Sequence, residues 1–178
     1  MKIFPFLTAL PIVLAASACA TTSTTPSTAP TASAKLAAAD GSARGTAMVT
    51  QAGDGLHVVI KAMGLAPGIH AVHIHTTGQC AGPDFTSAGG HWNPTARKHG
   101  KDNPAGMHMG DMPNMTVGPD GTGAIEYHIA DAMIGEGATP LLDTDGAAVV
   151  VHAQADDNMS DPAGNAGGRV ACGVLATG

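Results

Sequence analysis

Chain-breaking residues recur too often here for any long helix. Twenty-four glycines and twelve prolines are spread through 178 residues, and strong helix formers are scarce outside an alanine-rich N-terminus. Between the breakers lie short runs with strand character, Ala43 to Gln51, Leu56 to Met63 and Ile69 to His75, joined by the turn-prone Gly53-Asp54-Gly55 and Ala66-Pro67-Gly68. Consecutive hairpins are the natural reading. Met115 to Val117 and Ala124 to Ile129 flank Pro119-Asp120-Gly121-Thr122-Gly123 as another hairpin, Ala147 to His152 is a continuous apolar run, and Arg169 to Ala176 is a last strand. A strand around Lys35 to Asp40 is weaker, because its alanines suit a helix as well. Seven or eight strands emerge, and the class is all-β. With 44% apolar residues the chain can fill one domain with a core, not two.

The first residues carry an address. Lys2 gives a positive start, and Ile3 to Ala16 is an apolar run too short to cross a bilayer as a permanent helix, so residues 1–18 read as a signal peptide. Ala16-Ser17-Ala18 suits an ordinary cleavage site, whereas Ala18-Cys19 with Leu14 upstream suits bacterial lipoprotein processing. Lipidation of Cys19 is the favoured reading, since a thiol at the cut would otherwise stand unpaired in an oxidising compartment. Residues 19–34 are almost entirely Thr, Ser, Ala and Pro, the composition of a tether, and the folded domain is expected over residues 35–178. These features predict an exported protein of the bacterial periplasm or cell envelope, tethered to the membrane by an N-terminal lipid. A net charge of −6 with only eight Lys and Arg leaves no cationic stripe for a phosphate backbone, so no nucleic-acid partner is expected.

Regularity lapses from Thr76 to Asn114, a loop too long to be idle in a compact domain. Just before it, His73-Ile74-His75 on a strand sends both imidazoles to one face and Ile74 to the other. The loop adds His91, His99, His108 and Asp111 at spacings of eight, nine and three, and His152 ends the valine-rich strand. Six of the nine histidines are thus gathered at strand ends and in one loop, a pattern that points to metal. An all-nitrogen set suits Cu(II), and a closed tetrahedral set with a carboxylate suits Zn(II). Two four-coordinate ions need eight donors. Seven residues supply them if one imidazole bridges; a water in the eighth position does so equally, and the residues alone do not choose.

The segments His73-Ile74-His75-Thr76-Thr77-Gly78-Gln79-Cys80, Ala88-Gly89-Gly90-His91-Trp92-Asn93-Pro94, Arg97-Lys98-His99-Gly100, His108-Met109-Gly110-Asp111, Val151-His152-Ala153 and Gly164-Asn165-Ala166-Gly167-Gly168-Arg169-Val170-Ala171-Cys172-Gly173-Val174 follow in unbroken order. Together they resemble copper/zinc superoxide dismutase over roughly Gly41 to Gly178. The resemblance implies an eight-stranded antiparallel Greek-key β-barrel or sandwich, immunoglobulin-like in architecture, with long metal-binding and active-site loops. It implies one copper on His73, His75, His91 and His152, and one zinc on His91, His99, His108 and Asp111, with His91 bridging. Asp156 matches the carboxylate that links His73 to His99, and Cys80 and Cys172 match the family disulfide, whose loop of about ninety residues is nominally worth roughly 4 to 5 kcal/mol. Arg169 matches the arginine that orients the anionic substrate, superoxide, for dismutation to oxygen and hydrogen peroxide.

Two departures from the family stand out. The guiding loop, Asp157 to Gly168, is short and carries Pro162 and Ala163 where many members have a lysine and a threonine, which predicts weaker electrostatic steering. Met107, Met109, Met112 and Met115 surround His108 in sequence, either as gap-fillers or as soft thioethers that hold Cu(I) during loading. His57, His70 and His128 fall outside the motifs and read as structural. The rival to an enzyme is an exported copper/zinc carrier or storage protein without turnover, which would have no need of Arg169; a purely adhesive β-domain explains none of the histidines. Relatives occur as monomers and as differently built dimers, and no interface motif is legible, so a homodimer stays open.

Overall fold

In a computed structural model, which describes residue 1 and residues 29–178, the chain forms ten strands: β1 (Thr31–Ala37), β2 (Ala43–Ala52), β3 (Gly55–Ala62), β4 (Gly68–His70), β5 (Val72–His75), β6 (Met115–Val117), β7 (Gly123–Ala130), β8 (Ala148–His152), β9 (Arg169–Val174) and β10 (Ala176–Thr177). One 3-10 turn at Thr86–Ala88 is the sole helical element among the described residues. β4 with β5 and β9 with β10 are each one run broken at a single residue, so the expected count of eight stands. The readings of residues 1–18 and of Cys19 fall outside the described residues, Met1 aside.

All pairings are antiparallel, in the order β4-β6-β7-β3-β2-β1-β9-β8-β5, with β10 beside β1. The two ends of that path, β4 and β5, are consecutive in the chain and meet at Ala71. There the segment changes partners: His70 faces Met115 of β6, while Val72 faces Val151 of β8. Ala71 itself is tied to the β8 side, its N–H donating to Gln154 O and its carbonyl accepting from His152 N–H at 2.8 and 2.9 Å. One strand thereby closes the barrel.

Two expectations change. The run Leu56 to Met63 forms its hairpin with β2, but not with Ile69 to His75; β3 pairs with β7, and the chain passes over β7 and β6 before β4, which is a Greek-key connection. The sheet also begins at Thr31, inside the segment read as a tether. Ala32, Ala34 and Leu36 point inward and are buried, Ser33 and Lys35 point outward, and a period-two pattern in such small residues is easily mistaken for low complexity.

Ala47 and Val49 of β2, Leu56, Val58 and Ile60 of β3, Ile74 of β5 and Val149 and Val151 of β8 fill the interior. Each large aliphatic side chain there stabilises the fold by about 1.5–3 kcal/mol. Ala148 and Val150 of β8 face the other way, under Phe85, Ala88 and Cys172, which explains why that strand is apolar on both faces. The Cys80–Cys172 disulfide, Cα atoms 5.7 Å apart, fastens this outer layer to β9.

Candidate metal centre

With Ile74 in the core, strand alternation turns His73 and His75 outward, beneath the long loop, and burial of all three follows. The loop is pinned to β5 by main-chain bonds: Trp92 N–H donates to Ile74 O (2.8 Å), Ile74 N–H to Gly110 O (2.9 Å) and Gly110 N–H to Trp92 O (2.9 Å). Gly110 permits that approach, since a Cβ there would lie 2.3 Å from Ile74 O. His91 and Asp111, neighbours of the pinned residues, are thereby set opposite His75 and His73.

Two groups of four donors result. In the first, His73 Nδ1, His75 Nε2, His91 Nε2 and His152 Nε2 lie close together, all buried, and all without a hydrogen-bond partner. Four orphaned imidazole nitrogens would be a costly cluster in a protein that bound no cation there. Their partners are elsewhere: His75 Nδ1 meets Gly89 O at 2.9 Å, His152 Nδ1 meets Gly167 O at 3.3 Å, and His73 Nε2 meets Asp156 Oδ2 at 2.7 Å. Those contacts fix each ring and leave the other nitrogen's lone pair free. Burial depresses the pKa of His73 to about 4, of His75 to about 2 and of His152 to about 3, aided by the neighbouring rings. At neutral pH no proton competes for these lone pairs.

In the second group, Asp111 Oδ1 is met by the Nδ1 atoms of His91, His99 and His108 at 2.8, 3.0 and 3.2 Å. His91 and His108 Nδ1 are 3.4 Å apart. Donors about 2.0 Å from a tetrahedral ion stand about 3.3 Å from one another, so the spacing fits one zinc-sized cation. Asp111 Oδ2 accepts from Gly100 N–H and His108 N–H. Burial would raise its pKa, but the His91 and His99 rings and the Gly100 amide outweigh that and hold the carboxyl well below the usual carboxylate range. Burial would likewise lower His99, yet Asp111 and Asp156 raise it to about 9. His91 alone has one nitrogen in each group, Nε2 in the first and Nδ1 in the second.

Asp156 spans both groups: Oδ2 faces His73 Nε2 and Oδ1 faces His99 Nε2 at 3.0 Å. Its backbone is held by Asn114, whose Oδ1 accepts from Asp156 N–H at 2.8 Å and whose Nδ2 donates to Asp156 O at 2.9 Å. Asp161 Oδ1 accepts from His99 N–H at 2.8 Å while its Oδ2 pairs with Lys98. Gly164 leaves room for the contact between Asp156 and His99, since a Cβ there would fall 1.9 Å from Asp156 Oδ1 and 2.6 Å from His99 Nε2, and sequence reasoning missed it together with Asn114 and Asp161. Only Gly164 carried a signal, its place in a glycine-rich motif.

A cavity of about 400 Å³ opens beside the first group, lined by His75, His91, His152, Pro162, Ala163 and Arg169 among others. Arg169 Nη1 and Nη2 donate to Phe85 O and Gly89 O at 2.6 and 2.7 Å. Gly89 O therefore serves Arg169 and His75 together. Met112 and Met115 are buried in the barrel core, and only Met107 and Met109 flank His108 at a half-buried position, so the four thioethers do not form one site. His70 is buried between two carbonyls, Nδ1 on His152 O and Nε2 on Ala66 O.

The family model for copper/zinc superoxide dismutase (SODC) matches residues 43–175. A superoxide dismutase (Cu-Zn) of Caulobacter vibrioides is 44% identical over 141 residues, covering 78% of this chain and 81% of that protein. A superoxide dismutase-like protein of Bacillus subtilis is 42% identical over 139 residues, covering 76% and 71% respectively. The crystal structure of a SOD-like protein from Bacillus subtilis superposes with a TM-score of 0.77 at 39% identity, over 81% of this chain and 97% of that one.

Proposed function

Since the chain belongs to the copper/zinc superoxide dismutase family, we propose that it converts two superoxide anions and two protons into oxygen and hydrogen peroxide at the two donor groups just described. Copper would be held by His73, His75, His91 and His152, and zinc by His91, His99, His108 and Asp111, one of each per chain. The observation that carries this is the set of four buried, unpartnered imidazole nitrogens with His91 common to both groups. When bound, copper supplies one-electron exchange in both directions, and zinc supplies a fixed charge without redox states of its own.

The chain's own residues do the rest. Arg169, held by Phe85 O and Gly89 O, presents a guanidinium to an anion entering the cavity and orients it beside His75 and His152. His91 lines that cavity, and its Nε2 is the atom at which this chain would take up and return a proton next to the substrate, while Nδ1 faces Asp111. Asp156 is a positioning residue that keeps the His73 and His99 rings aligned. Pro162 and Ala163 make the rim uncharged, leaving the guidance of the anion to Arg169 alone among the lining residues.

The test is the superoxide decay rate, by pulse radiolysis, of protein loaded with copper and zinc against protein carrying zinc alone. Copper-dependent decay is expected. One copper bound per chain without decay above buffer would turn the reading to an exported carrier.

We also read residues 1–18 as a signal peptide and Cys19 as lipidated, on a chain exported to the bacterial envelope. The Cys80–Cys172 disulfide favours an oxidising compartment. A mature N-terminus weighing one diacylglycerol more than the free Cys19 form supports the lipid, and an unmodified Cys19 removes it.

A further inference from the structure

Two histidines outside the metal centre are set opposite each other by the sheet. β3 and β7 pair with His57 facing His128. Directly opposed residues of an antiparallel pair carry Cβ atoms roughly 4.5–5.5 Å apart, so the two side chains spring from neighbouring points on one face of the sheet. Both stand on the outer surface, their side chains 38% and 45% exposed, and β3 carries no donor of the buried centre. Each already has an acid at hand: His57 Nε2 lies 2.7 Å from Glu126 Oε1, and His128 Nε2 lies 3.3 Å from Asp54 Oδ1.

Those separations matter. Two donors at adjacent corners around a divalent ion, each about 2.0 Å from it, stand about 2.8 Å apart, and the His57–Glu126 pair has that spacing as it is. The His128 ring leans the other way along the sheet, over Gly55, its Cε1 3.0 Å from where a Cβ would stand. The three donors are not assembled as they stand; a change of rotamer at His128, an exposed position, would bring its ring toward His57. Exposed side-chain contacts of this kind contribute little to the fold, so stability does not account for the grouping.

We propose that His57, His128 and Glu126 form a surface site for Cu(II), separate from the buried centre. Two imidazoles and a carboxylate suit a divalent transition ion, and Cu(II) heads the affinity order among those such a set can take. The chain's net charge of −6 favours a cation at its surface. An ion held there stays exposed to solvent, where Cu(II) exchanges readily.

The test starts from protein whose buried centre is already filled with one copper and one zinc, to which Cu(II) is added and followed by titration calorimetry and electron paramagnetic resonance. One further equivalent is expected, with two coupled nitrogens in its spectrum. It should vanish in His57→Ala and in His128→Ala and weaken by about tenfold in Glu126→Gln, while superoxide decay is unchanged in all three. Absence of the extra equivalent, or its persistence at equal affinity in the double alanine variant, overturns the site. The comparison of wild type with variants holds whatever the buried centre binds, so failure here is distinct from failure of the dismutase reading.

Discussion

Gly164→Ala is expected to strip the centre of much of its zinc affinity although residue 164 ligates nothing. A Cβ at this position would fall 1.9 Å from Asp156 Oδ1, 2.5 Å from its Cγ and 2.6 Å from His99 Nε2, inside the contact that joins the carboxylate to the ring. The flexible end of a side chain cannot simply step aside here, because Asp156 Oδ2 is bound to His73, its backbone to Asn114, and Oδ1 also accepts from Asn158 N–H. The backbone adds its own cost: φ is +62, and a left-handed alanine costs roughly 1–2 kcal/mol. Loss of a residue that orients a ligand typically lowers metal affinity 10–100-fold, or about 1.4–2.8 kcal/mol. Gly168→Ala is the control, for a Cβ there meets nothing within 4 Å. Zinc affinity would be read by chelator competition on both variants. A Gly164→Ala protein that keeps wild-type affinity within about twofold, no worse than Gly168→Ala, refutes the claim that Asp156 governs His99.

Metal-free protein should be most stable near pH 6.5, read as urea midpoints from acid to base. His73, His75 and His152 have folded values below 6.5, so the unfolded chain takes up their protons first and stability falls as pH drops from 6.5 toward about 2; His99, raised to about 9, loses its contribution as pH climbs from 6.5 through that value. A flat profile over this range contradicts the burial argument. Arg169→Ala should slow superoxide decay by about tenfold or more with copper and zinc content unchanged, and an unaltered rate removes Arg169 from the reaction. Because Pro162 and Ala163 leave the rim uncharged, the wild-type rate should change by less than about threefold between low and physiological salt, and a steep decline would reveal guiding charges elsewhere. Replacing Cys80 and Cys172 by serine should cost about 2–5 kcal/mol in urea unfolding of the metal-loaded protein, and no loss would mean that the outer layer is held by packing alone.

Local patterns were legible where residues differ sharply in polarity. β2, β3 and β7 lie within a residue or two of the expected runs, and His73-Ile74-His75 declared its two faces at once. β1 was legible only as a weak strand around Lys35 to Asp40 and in fact starts at Thr31, because alternating Ala and Ser carry almost no hydrophobic contrast and its place is set by the neighbouring β2. Nor was the partner of Ile69 to His75, since a Greek-key crossing depends on non-local pairing that no turn residue announces. At the centre, residue spacing established a donor count but left the bridge open; the facing of His91 Nδ1 and Nε2 to different groups is a matter of three-dimensional placement. Asn114 and Asp161 act through main-chain atoms of residues far along the chain, and a lone Asn or Asp in a loop looks the same whether or not it does so.

The strand that changes partners at Ala71 also bears on how this molecule behaves among its own copies. An open sheet ends in a row of unpaired N–H and C=O groups, a template on which another chain can grow. Here the two rows that would form such ends belong to one continuous stretch, Gly68 to His75, and each half is paired, with β6 on one side and β8 on the other. No long edge is left for strand addition among the described residues. His73 and His75 sit on that stretch and His152 on the strand beside it, so a copper ion held as proposed would tie β5 to β8 at the seam. If the ligands are as proposed, removal of copper would loosen the β5–β8 side of this seam, and resistance to strand addition would depend on metal content as well as on sequence.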